Sequence, residues 1–460
     1  MIIEREQPEI REPIGVLGYG EEGRSTCGYL LGRGFADITV FDRNPPLELA
    51  EGRLPGLRLG GKGGSESYLE GLSGMRTLFR SAGVRPDLPE ISACLDQGGT
   101  LTSQTGLAFA LAGRRRIIGV TGTLGKGTAC SLLLAMLSEA GIKARLGGNI
   151  GIPALDLAAS LEPGEFLILE LSSFQLSALA QSPAMAVVLR TTSEHLDWHA
   201  SREEYLLHKS NLVARQRPED LLIHCADAAG SAWIAGRSPA RKIAFGSGAE
   251  VRIGPAPGAP GGAVSWVTRG FTLPLAETRL TGAFNLENLA AAGTAALELG
   301  AEPRHVVAAA RSFAGLEHRL EFVRDTRGIS FYNDSYATRP EASVGAIDAF
   351  ADAPLGLILG GSEKHADFRE LAVKIATSPH VRAVALIGET RDRLRGELLR
   401  AGVSEVFEMR FCLSLEDALE FLLSALPKGR IALSPACASF GMFENYKQRG
   451  KAFKRLVNAL

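Results

Sequence analysis

The sequence predicts an α/β protein of three successive units, each a mostly parallel β-sheet covered by helices. Apolar runs such as FLILEL, PLGLILGG and VRAVALIG alternate with helical stretches, which is typical of parallel sheets with helices on their faces. At IGVLGYGEEG and again at RIIGVTGTLGKGT, an apolar strand leads into a glycine-rich turn and a helix. The three predicted domains are a Rossmann-like domain over 1–112, a central P-loop ATPase-like domain over 113–314 and a Rossmann-like domain over 315–460.

Composition narrows the class of partner. The chain has 460 residues, with 50 Lys and Arg against 51 Asp and Glu, and this balance argues against a nucleic-acid-binding protein or a polybasic membrane-surface protein. No apolar run approaches the roughly 18–20 residues needed to span a bilayer, and the segment MIIEREQPEIREPIG resembles no signal peptide. The six cysteines form no CxxC pair, so neither a disulfide framework nor a structural zinc site is expected. We therefore expect a cytoplasmic protein that neither binds nucleic acid nor inserts into a membrane.

The first glycine loop, GYGEEG at residues 18–23, follows a strand and precedes a helix. Such a helix N-terminus is open to a pyrophosphate, and Asp42 at the end of the next strand is placed for a ribose hydroxyl. Nucleotide or dinucleotide binding is one interpretation, and a turn that serves only helix–strand packing is the other. Glu21 and Glu22 count against a phosphate cradle, because they add two negative charges to the first helical turn.

The second loop, GTLGKGT, is the stronger signal for phosphate. Its glycines let backbone N–H groups converge on phosphate oxygens, Lys126 supplies a point charge for the β- and γ-phosphates, and Thr128 offers a hydroxyl to Mg²⁺. The spacing is one residue shorter than GxxxxGK[ST], but strand, loop, lysine, hydroxyl and helix agree. The sequence therefore predicts an ATP site formed by Gly122, Thr123, Gly125, Lys126, Gly127 and Thr128.

Three further residues are candidates for the metal site of this domain. Glu170 ends the apolar run FLILE, where a carboxylate beside a P-loop belongs to Mg²⁺. His195 lies in EHLD after the next strand. Lys209 lies one helical turn after Tyr205 and so on the same helix face. A capping glutamate and a packed or surface histidine are the alternatives.

Downstream residues complete a predicted nucleotide site. Asn285 and Asn288 precede an alanine-rich helix, so their amides lie at a helix entry suited to a base or phosphate. Arg319 is a candidate clamp for a γ-phosphate. Asp334 ends a strand at the edge that faces a switch-point crevice. Each alone also fits a solvated charge, a cap or a turn, but together they predict ATP held between two domains.

These motifs together resemble the Mur ligases, and within that family the glutamate-adding branch. LELSSFQL and SPACASF are specific to that branch, while residues 1–112 resemble the family's uridine-nucleotide domain more loosely. The matching motifs, in order from about 115 to 453, are GVTGTLGKGT, GGNIGIP, LELSSFQL, EHLD with Lys209, GAFNLENLAAA, GLEHRLEFV, NDSYAT, LILGGSEKHADF and SPACASFGMFENYKQRG.

The resemblance implies ATP and two Mg²⁺ ions as cofactors. It implies that Lys126 and Thr128 hold the ATP phosphates and the first Mg²⁺, with Glu170 nearby. It implies that His195 and Lys209 serve a second Mg²⁺, with Lys209 carbamylated. A carbamate is attracted by metal ions that would repel an ammonium.

The resemblance also implies contacts with the substrates. Asp42 and Arg43 would border the uracil, Asn149 would contact the UDP-sugar, and ATP and glutamate would be bound by the remaining residues. Those for ATP are Asn285, Asn288, Arg319 and Asp334; those for glutamate are Thr338, Lys364, Ser439 and Phe440.

The implied activity is that of an ATP-dependent amide-bond ligase in peptidoglycan precursor synthesis. It would add glutamate, with D-glutamate expected, to UDP-N-acetylmuramoyl-L-alanine through an acyl phosphate. Bringing three substrates together costs entropy that a closing C-terminal domain can offset. The expected oligomeric state is a monomer.

Five positions depart from the family's pattern. Tyr336 stands for a lysine, Gly441 for an aspartate, Arg190 for an asparagine, Glu194 for an aspartate, and Gly127 for a serine or threonine. These departures leave open a ligase that adds L-glutamate or another amino acid, and a catalytically weakened ATP-binding homologue. An NAD-dependent oxidoreductase built on GYGEEG is a more distant alternative.

Overall fold

The computed structural model has the predicted mixed α/β architecture. It describes residues 9–61, 66–192, 198–256, 258–280, 282, 284–363, 366–403 and 408–460. Within these, three sheets of five, nine and six strands occupy successive stretches of chain. The chain forms two compact units: Met1–Glu277 with Leu286–Arg311, and Thr278–Asn285 with Ser312–Leu460. The first unit contains two of the sheets, and the domain boundaries after residues 112 and 314 stay a prediction.

The first sheet is wholly parallel. Its strands are β1 (Ile14–Leu17), β2 (Ile38–Phe41), β3 (Leu57–Leu59), β4 (Thr77–Arg80) and β5 (Thr100–Thr102), and its helices are α1 (Glu21–Gly32), α2 (Leu47–Ala50), α3 (Pro89–Asp96) and α4 (Gln104–Ala112). The strand order is β3-β2-β1-β4-β5, so the order reverses between β1 and β4. Strands β1, β2 and β4 are buried along their whole length, as expected for a parallel sheet covered on both faces.

The second glycine loop belongs to the second sheet and follows one of its inner strands. Its strands are β6 (Ile117–Thr121), β7 (Ala144–Gly148), β8 (Phe166–Glu170), β9 (Met185–Val188), β10 (Leu221–Cys225), β11 (Arg241–Gly246), β12 (Val251–Ala256), β13 (Ala259–Trp266) and β14 (Phe271–Pro274). Its helices are α5 (Lys126–Glu139), α6 (Ala154–Ala159), α7 (Ser173–Leu176), α8 (Arg202–Ser210), α9 (Ala229–Ala235), α10 (Asn285–Glu298) and α11 (Pro303–Ser312). The order is β14-β13-β12-β11-β10-β9-β6-β8-β7, antiparallel from β12 to β14. Strand β6 lies between β8 and β9, with β7 beyond β8 and β10 beyond β9, so the loop after β6 lies at a switch point.

The second unit is built on the third sheet. Its strands are β15 (Glu321–Thr326), β16 (Ile329–Asn333), β17 (Leu355–Gly361), β18 (Val381–Gly388), β19 (Glu408–Phe411) and β20 (Gly429–Leu433), and its helices are α12 (Pro340–Ala349), α13 (Arg369–Ala376), α14 (Arg391–Arg400), α15 (Leu415–Ala425) and α16 (Tyr446–Ala459). The order is β15-β16-β20-β17-β18-β19, and among the described strands of this sheet only β15 pairs antiparallel. Strand β17 is fully buried at the centre, which explains its unbroken apolar sequence LGLILGG.

Two charged side chains of the first sheet hold helix α7 of the second sheet. Arg80, at the end of β4, is 1% exposed, and its Nη2 donates to the carbonyl of Phe174 and to Oγ of Ser177, both at 2.9 Å. Burial lowers the pKa of Arg80 to about 10. Glu22 in α1 accepts a 2.8 Å hydrogen bond from Nε2 of Gln175. The two sheets of the first unit are therefore joined through partly buried hydrogen bonds to charged groups as well as through apolar contact.

All six cysteines are buried, and within the described part of the chain none of them forms a disulfide. Among the described residues, no helix is long and apolar enough to cross a membrane.

The buried guanidinium generates a stability prediction. Arg80→Met keeps the length of the side chain but leaves the carbonyl of Phe174 without its charged donor. Loss of such hydrogen bonds should lower the free energy of unfolding of the first unit by about 3 kcal/mol. Urea unfolding followed by circular dichroism measures the effect, with the exposed Arg369→Met as control. An unchanged midpoint for Arg80→Met would contradict the assigned role.

Candidate active site

The loop between β6 and α5 is closed tightly by its surroundings. Gly125 adopts a left-handed conformation with φ of +84°, and a Cβ at this position would lie 2.2 Å from Oδ1 of Asn288. No other residue fits there without moving Asn288. A Cβ on Gly122 would likewise lie 2.7 Å from Cβ of Leu189. The glycines are therefore required by close packing of α10 and of the segment after β9 against the loop.

Lys126 opens helix α5 and folds over the loop. Its Nζ donates to the carbonyl oxygens of Gly122 at 3.0 Å and Thr123 at 2.8 Å. The N-terminus of a helix carries unpaired N–H groups and a partial positive charge. Thr128, almost fully buried, lies in the same first turn. An ammonium group, the backbone N–H groups of a helix N-terminus and a hydroxyl group therefore belong to the same turn. Such a set of donors can bind a polyanion such as the phosphate chain of a nucleotide.

Glu170 provides a buried carboxylate beside this loop. It ends β8, where it pairs in register with Val120 of β6. The side chain is 2% exposed; Oε1 accepts a 2.7 Å hydrogen bond from Nδ2 of Asn149, and Oε2 has no hydrogen-bond partner among the described residues. A buried carboxylate oxygen without a donor is costly unless something else binds it. The arrangement suits a hard cation with oxygen ligands, such as Mg²⁺.

Helix α8 brings two side chains to the loop from the other side. Nζ of Lys209, a residue only 2% exposed, donates to Oγ1 of Thr121 at 3.2 Å and to the carbonyl of Gly122 at 2.9 Å. The Tyr205 hydroxyl lies 3.0 Å from Oγ1 of Thr123, and its ring centroid lies 4.8 Å from Nζ of Lys209. The two side chains share one face of α8, as their spacing predicts.

In the second unit, Arg319 is held between two residues with left-handed backbone. His318 has φ of +68° and Leu320 has φ of +43°. Such conformations cost energy in residues other than glycine and persist only where surrounding contacts impose them. Here the N–H of Leu320 donates to Oδ1 of Asp334 at 3.1 Å, and the N–H of His318 donates to Oε2 of Glu321 at 2.9 Å. The backbone at Arg319 is therefore fixed by two carboxylates.

Asp334 is a buried carboxyl group with a raised pKa. Its Oδ2 accepts a 2.7 Å hydrogen bond from the hydroxyl of Ser434, and Oδ1 binds Leu320. Burial outweighs these hydrogen bonds and the nearby Arg319 and Arg449, and it raises the pKa of Asp334 to about 7.

The guanidinium of Arg319 rests on an aromatic ring. It lies 3.9 Å from the ring centroid of Tyr336, and Tyr336 in turn contacts Tyr446 edge-on at 5.0 Å. Tyr336 stands where the family pattern has a lysine, so a ring replaces a second cation beside Arg319. The positive charge is oriented by a cation–π contact rather than repelled by a neighbouring ammonium.

The remaining predicted residues are distributed over both units. Asp42 accepts hydrogen bonds from the N–H groups of Tyr19 at 2.6 Å and Asn44 at 2.7 Å, and Arg43 lies 5.5 Å from the ring centroid of Tyr68. Both follow β2 in the first sheet. Asn285 is buried at the start of α10; in the second unit, Thr338 is half-buried, Ser439 is buried and Phe440 is 54% exposed. His195 and Lys364 lie outside the described residues.

The structure thus gathers most of the predicted phosphate and metal residues at the carboxyl ends of β6 and β8. Sequence reasoning gave no role to the Tyr205 hydroxyl or to Gln175. Gln175 could have been found from its local pattern, because Ser172 and Gln175 form a capping box at the start of α7. The gathered residues are Gly122, Thr123, Gly125, Lys126, Gly127, Thr128, Asn149, Glu170, Lys209 and Asn288.

Comparison with known proteins matches two stretches of the chain to one family. Residues 120–296 match the family model of the Mur ligase middle domain, and residues 318–437 match that of the Mur ligase glutamate ligase domain. The chain is 35% identical to the UDP-N-acetylmuramoylalanine–D-glutamate ligase of Acetivibrio thermocellus, over 97% of this chain and 96% of that protein. It is also 35% identical to the enzyme of that name from Symbiobacterium thermophilum, over 98% and 99% of the two chains.

Solved structures share the fold at much lower identity. The MurF ligase of Thermotoga maritima in complex with ADP superposes with a TM-score of 0.59 at 17% identity, covering 100% of this chain and 97% of that one. The UDP-N-acetylmuramate–alanine ligase MurC of Thermotoga maritima gives 0.59 at 16% identity, covering 97% and 99%. At such identities the likeness establishes a common fold and nothing finer.

The raised pKa of Asp334 predicts a pH-dependent stability. Because its proton is bound more tightly in the folded chain, the stability it contributes is fully present below about pH 4. That contribution is lost as the pH rises to about 7. Asp334→Asn is neutral at every pH, so its urea midpoint should fall less than that of the wild type between these values. The exposed Asp325→Asn is the control, and parallel pH profiles for wild type and Asp334→Asn would contradict the assignment.

Proposed function

The chain belongs to the Mur ligase family, and we propose that it is an ATP-dependent ligase that joins glutamate to UDP-N-acetylmuramoyl-L-alanine during peptidoglycan precursor synthesis. The observation that carries this proposal is the convergence of Lys126, Glu170 and Lys209 on one loop. It occurs in a chain that aligns over nearly its whole length with relatives named as D-glutamate-adding ligases.

The first step activates the substrate's terminal carboxylate. One of its oxygens attacks the γ-phosphorus of ATP, a C–O–P bond forms, and the bond between the β- and γ-phosphates breaks to release ADP. We assign Lys126, which folds over the loop, and the N-terminal amides of α5 to balancing the negative charge of the phosphates. We assign Asn288, which packs on Gly125, and Asn285 to the nucleotide as well.

The second step forms the amide. The amine of glutamate attacks the acyl-phosphate carbonyl, inorganic phosphate leaves, and the amine gives up a proton. We assign Thr338, Lys364, Ser439 and Phe440 to glutamate. We assign Arg319 to the ATP phosphates and Asp334 to the ATP site, with Tyr336 orienting the Arg319 guanidinium.

Mg²⁺ fits the donor set at the loop. The unpaired Oε2 of Glu170 and the hydroxyl of Thr128 would hold one ion, and we assign His195 and a carbamylated Lys209 to a second. Bound there, the metal supplies screening of the phosphate charges. The protein's own contribution is to fix the carboxylate through Asn149.

We assign the uridine nucleotide to residues 1–112, with Asp42 and Arg43 at the uracil and Asn149 at the sugar, and we keep 113–314 and 315–460 as the ATP and glutamate domains. The expected setting is a monomer in the cytoplasm that binds neither nucleic acid nor membrane.

The alternative of an NAD-dependent oxidoreductase finds no support in the first glycine loop. The Glu22 carboxylate in the first turn of α1 accepts the N–H of Ala82 at 2.8 Å, which sets a negative charge where a pyrophosphate would bind.

D-glutamate is the expected acceptor, and Tyr336 and Gly441 are the reasons to test L-glutamate beside it. Phosphate release should require ATP, Mg²⁺, UDP-N-acetylmuramoyl-L-alanine and glutamate together. Lys126→Ala should lower kcat by about 10²–10³ because a donor to the developing charge is lost. A wild type that releases no phosphate with either glutamate enantiomer would overturn the proposal, and it would favour a catalytically weakened ATP-binding homologue.

The unpaired Oε2 of Glu170 leads to a separate prediction about Mg²⁺ binding. Glu170→Gln keeps the hydrogen-bonding shape of the side chain but removes its charge. The Mg²⁺ concentration that gives half-maximal phosphate release should therefore rise about 10–100-fold. Glu162→Gln, an exposed change on the same domain, serves as control. Equal Mg²⁺ titrations for both variants would contradict a metal role for Glu170.

Carbamylation of Lys209 is a proposal supported by the burial of its amine beside Glu170's strand end. A carbamate would supply oxygen ligands where an ammonium would repel metal ions. Carbon-13 NMR of the enzyme equilibrated with labelled bicarbonate should show a carbamate signal in the wild type and lose it in Lys209→Arg. A signal retained in that variant would place the modification elsewhere.

A further inference from the structure

A salt bridge joins the two segments that flank the glycine loop. Arg190 follows β9, and its carbonyl oxygen accepts the N–H of Thr123 at 2.9 Å. Two residues further along, the N–H of Thr192 donates to Oγ1 of Thr123 at 3.0 Å, so the segment after β9 runs alongside the loop. The backbone position of Arg190 is therefore coupled to the backbone of the loop itself.

The side chain of Arg190 reaches the first turn of α10. Its Nε donates to both carboxylate oxygens of Glu287, at 2.9 and 3.2 Å, and its Nη2 also contacts Oε1. Its Nη1 donates to the carbonyl of Asp227 at 3.2 Å. Hydrogen bonding to Glu287 raises the pKa of Arg190. A forked pair of this kind fixes orientation as well as distance.

Glu287 directly precedes Asn288, the residue whose Oδ1 fills the space beside Gly125. Arg190 therefore contacts the loop through its carbonyl and Glu287 through its guanidinium. Asn288, the next residue after Glu287, contacts the loop again at Gly125. The guanidinium is 42% exposed and the carboxylate 18%, so the pair lies partly in solvent. Half-exposed pairs contribute little to global stability. The pair does, however, connect one helix turn to the segment that borders the loop.

We propose that Arg190 and Glu287 are positioning residues that hold the first turn of α10 against the glycine loop and thereby set the affinity for ATP. The proposal rests on the proposed function, because it assigns a role in the same nucleotide site. It differs from a direct nucleotide contact by Arg190, in which Glu287 would have no part.

The test is a double-mutant cycle on nucleotide binding. Arg190→Gln, Glu287→Gln and the double variant are compared with the wild type by titrating a fluorescent ADP analogue, by the KM for ATP and for UDP-N-acetylmuramoyl-L-alanine, and by the unfolding temperature. Each single change should weaken nucleotide binding about tenfold, and the double should be no weaker than either single. The KM for the uridine substrate and kcat should stay unchanged. The swapped pair Arg190→Glu with Glu287→Arg should recover part of the affinity.

A matched control lies at the other end of the same helix. Arg241 and Glu298 pair at the last residue of α10 at 2.5 Å, so Arg241→Gln removes a comparable ion pair far from the loop. It should leave nucleotide affinity unchanged.

Other outcomes overturn the inference in distinguishable ways. Damage by Arg190→Gln with a silent Glu287→Gln would mean a direct nucleotide contact. A lower unfolding temperature with unchanged affinity would mean a merely structural pair. A wild type that binds the ADP analogue but releases no phosphate would defeat the proposed function while the cycle still decides the inference. A wild type that binds no nucleotide would overturn both.

Discussion

The close packing of neighbouring segments against the glycines of the loop after β6 is the constraint on which the candidate site depends. Gly125 can exist there only without a side chain, because Asn288 occupies the space that a Cβ would need. The loop is also bound by Lys209 from α8 and by the carbonyl of Arg190 from the segment after β9. A loop fixed on three sides keeps its amides oriented before any phosphate arrives, so little ordering has to accompany binding.

Charged side chains also link the first sheet to the second. Arg80 is almost fully buried and Glu22 partly so, and hydrogen bonds to carbonyl and amide groups of α7 offset part of the cost of removing these charges from water. The same carboxylate of Glu22 lies in the first turn of α1. One residue therefore both links the sheets and makes the first glycine loop a poor pyrophosphate site, although its GxGxxG spacing is intact.

In the second unit, local structure fixes the backbone and the guanidinium of Arg319. Left-handed residues on both sides of Arg319 are held by the carboxylates of Asp334 and Glu321, and the guanidinium lies on the ring of Tyr336. The substitution of tyrosine for lysine at 336 therefore has a structural consequence within this unit. It changes how Arg319 is oriented, while the strained backbone that presents it is imposed by other residues.

Local sequence determined the fold class, the strands that end in glycine loops, and the roles open to Lys126, Thr128 and Glu170, because periodicity and loop spacing act over a few neighbouring residues. Only the tertiary structure decided which polar atoms find partners. Arg190 and Glu287 are 97 positions apart, and no local pattern links them. The unpaired oxygen of Glu170 and the burial of Arg80 depend likewise on what distant elements pack around them. The sequence identifies the polar side chains that could bind a ligand, and tertiary packing determines which of their atoms already have partners within the protein.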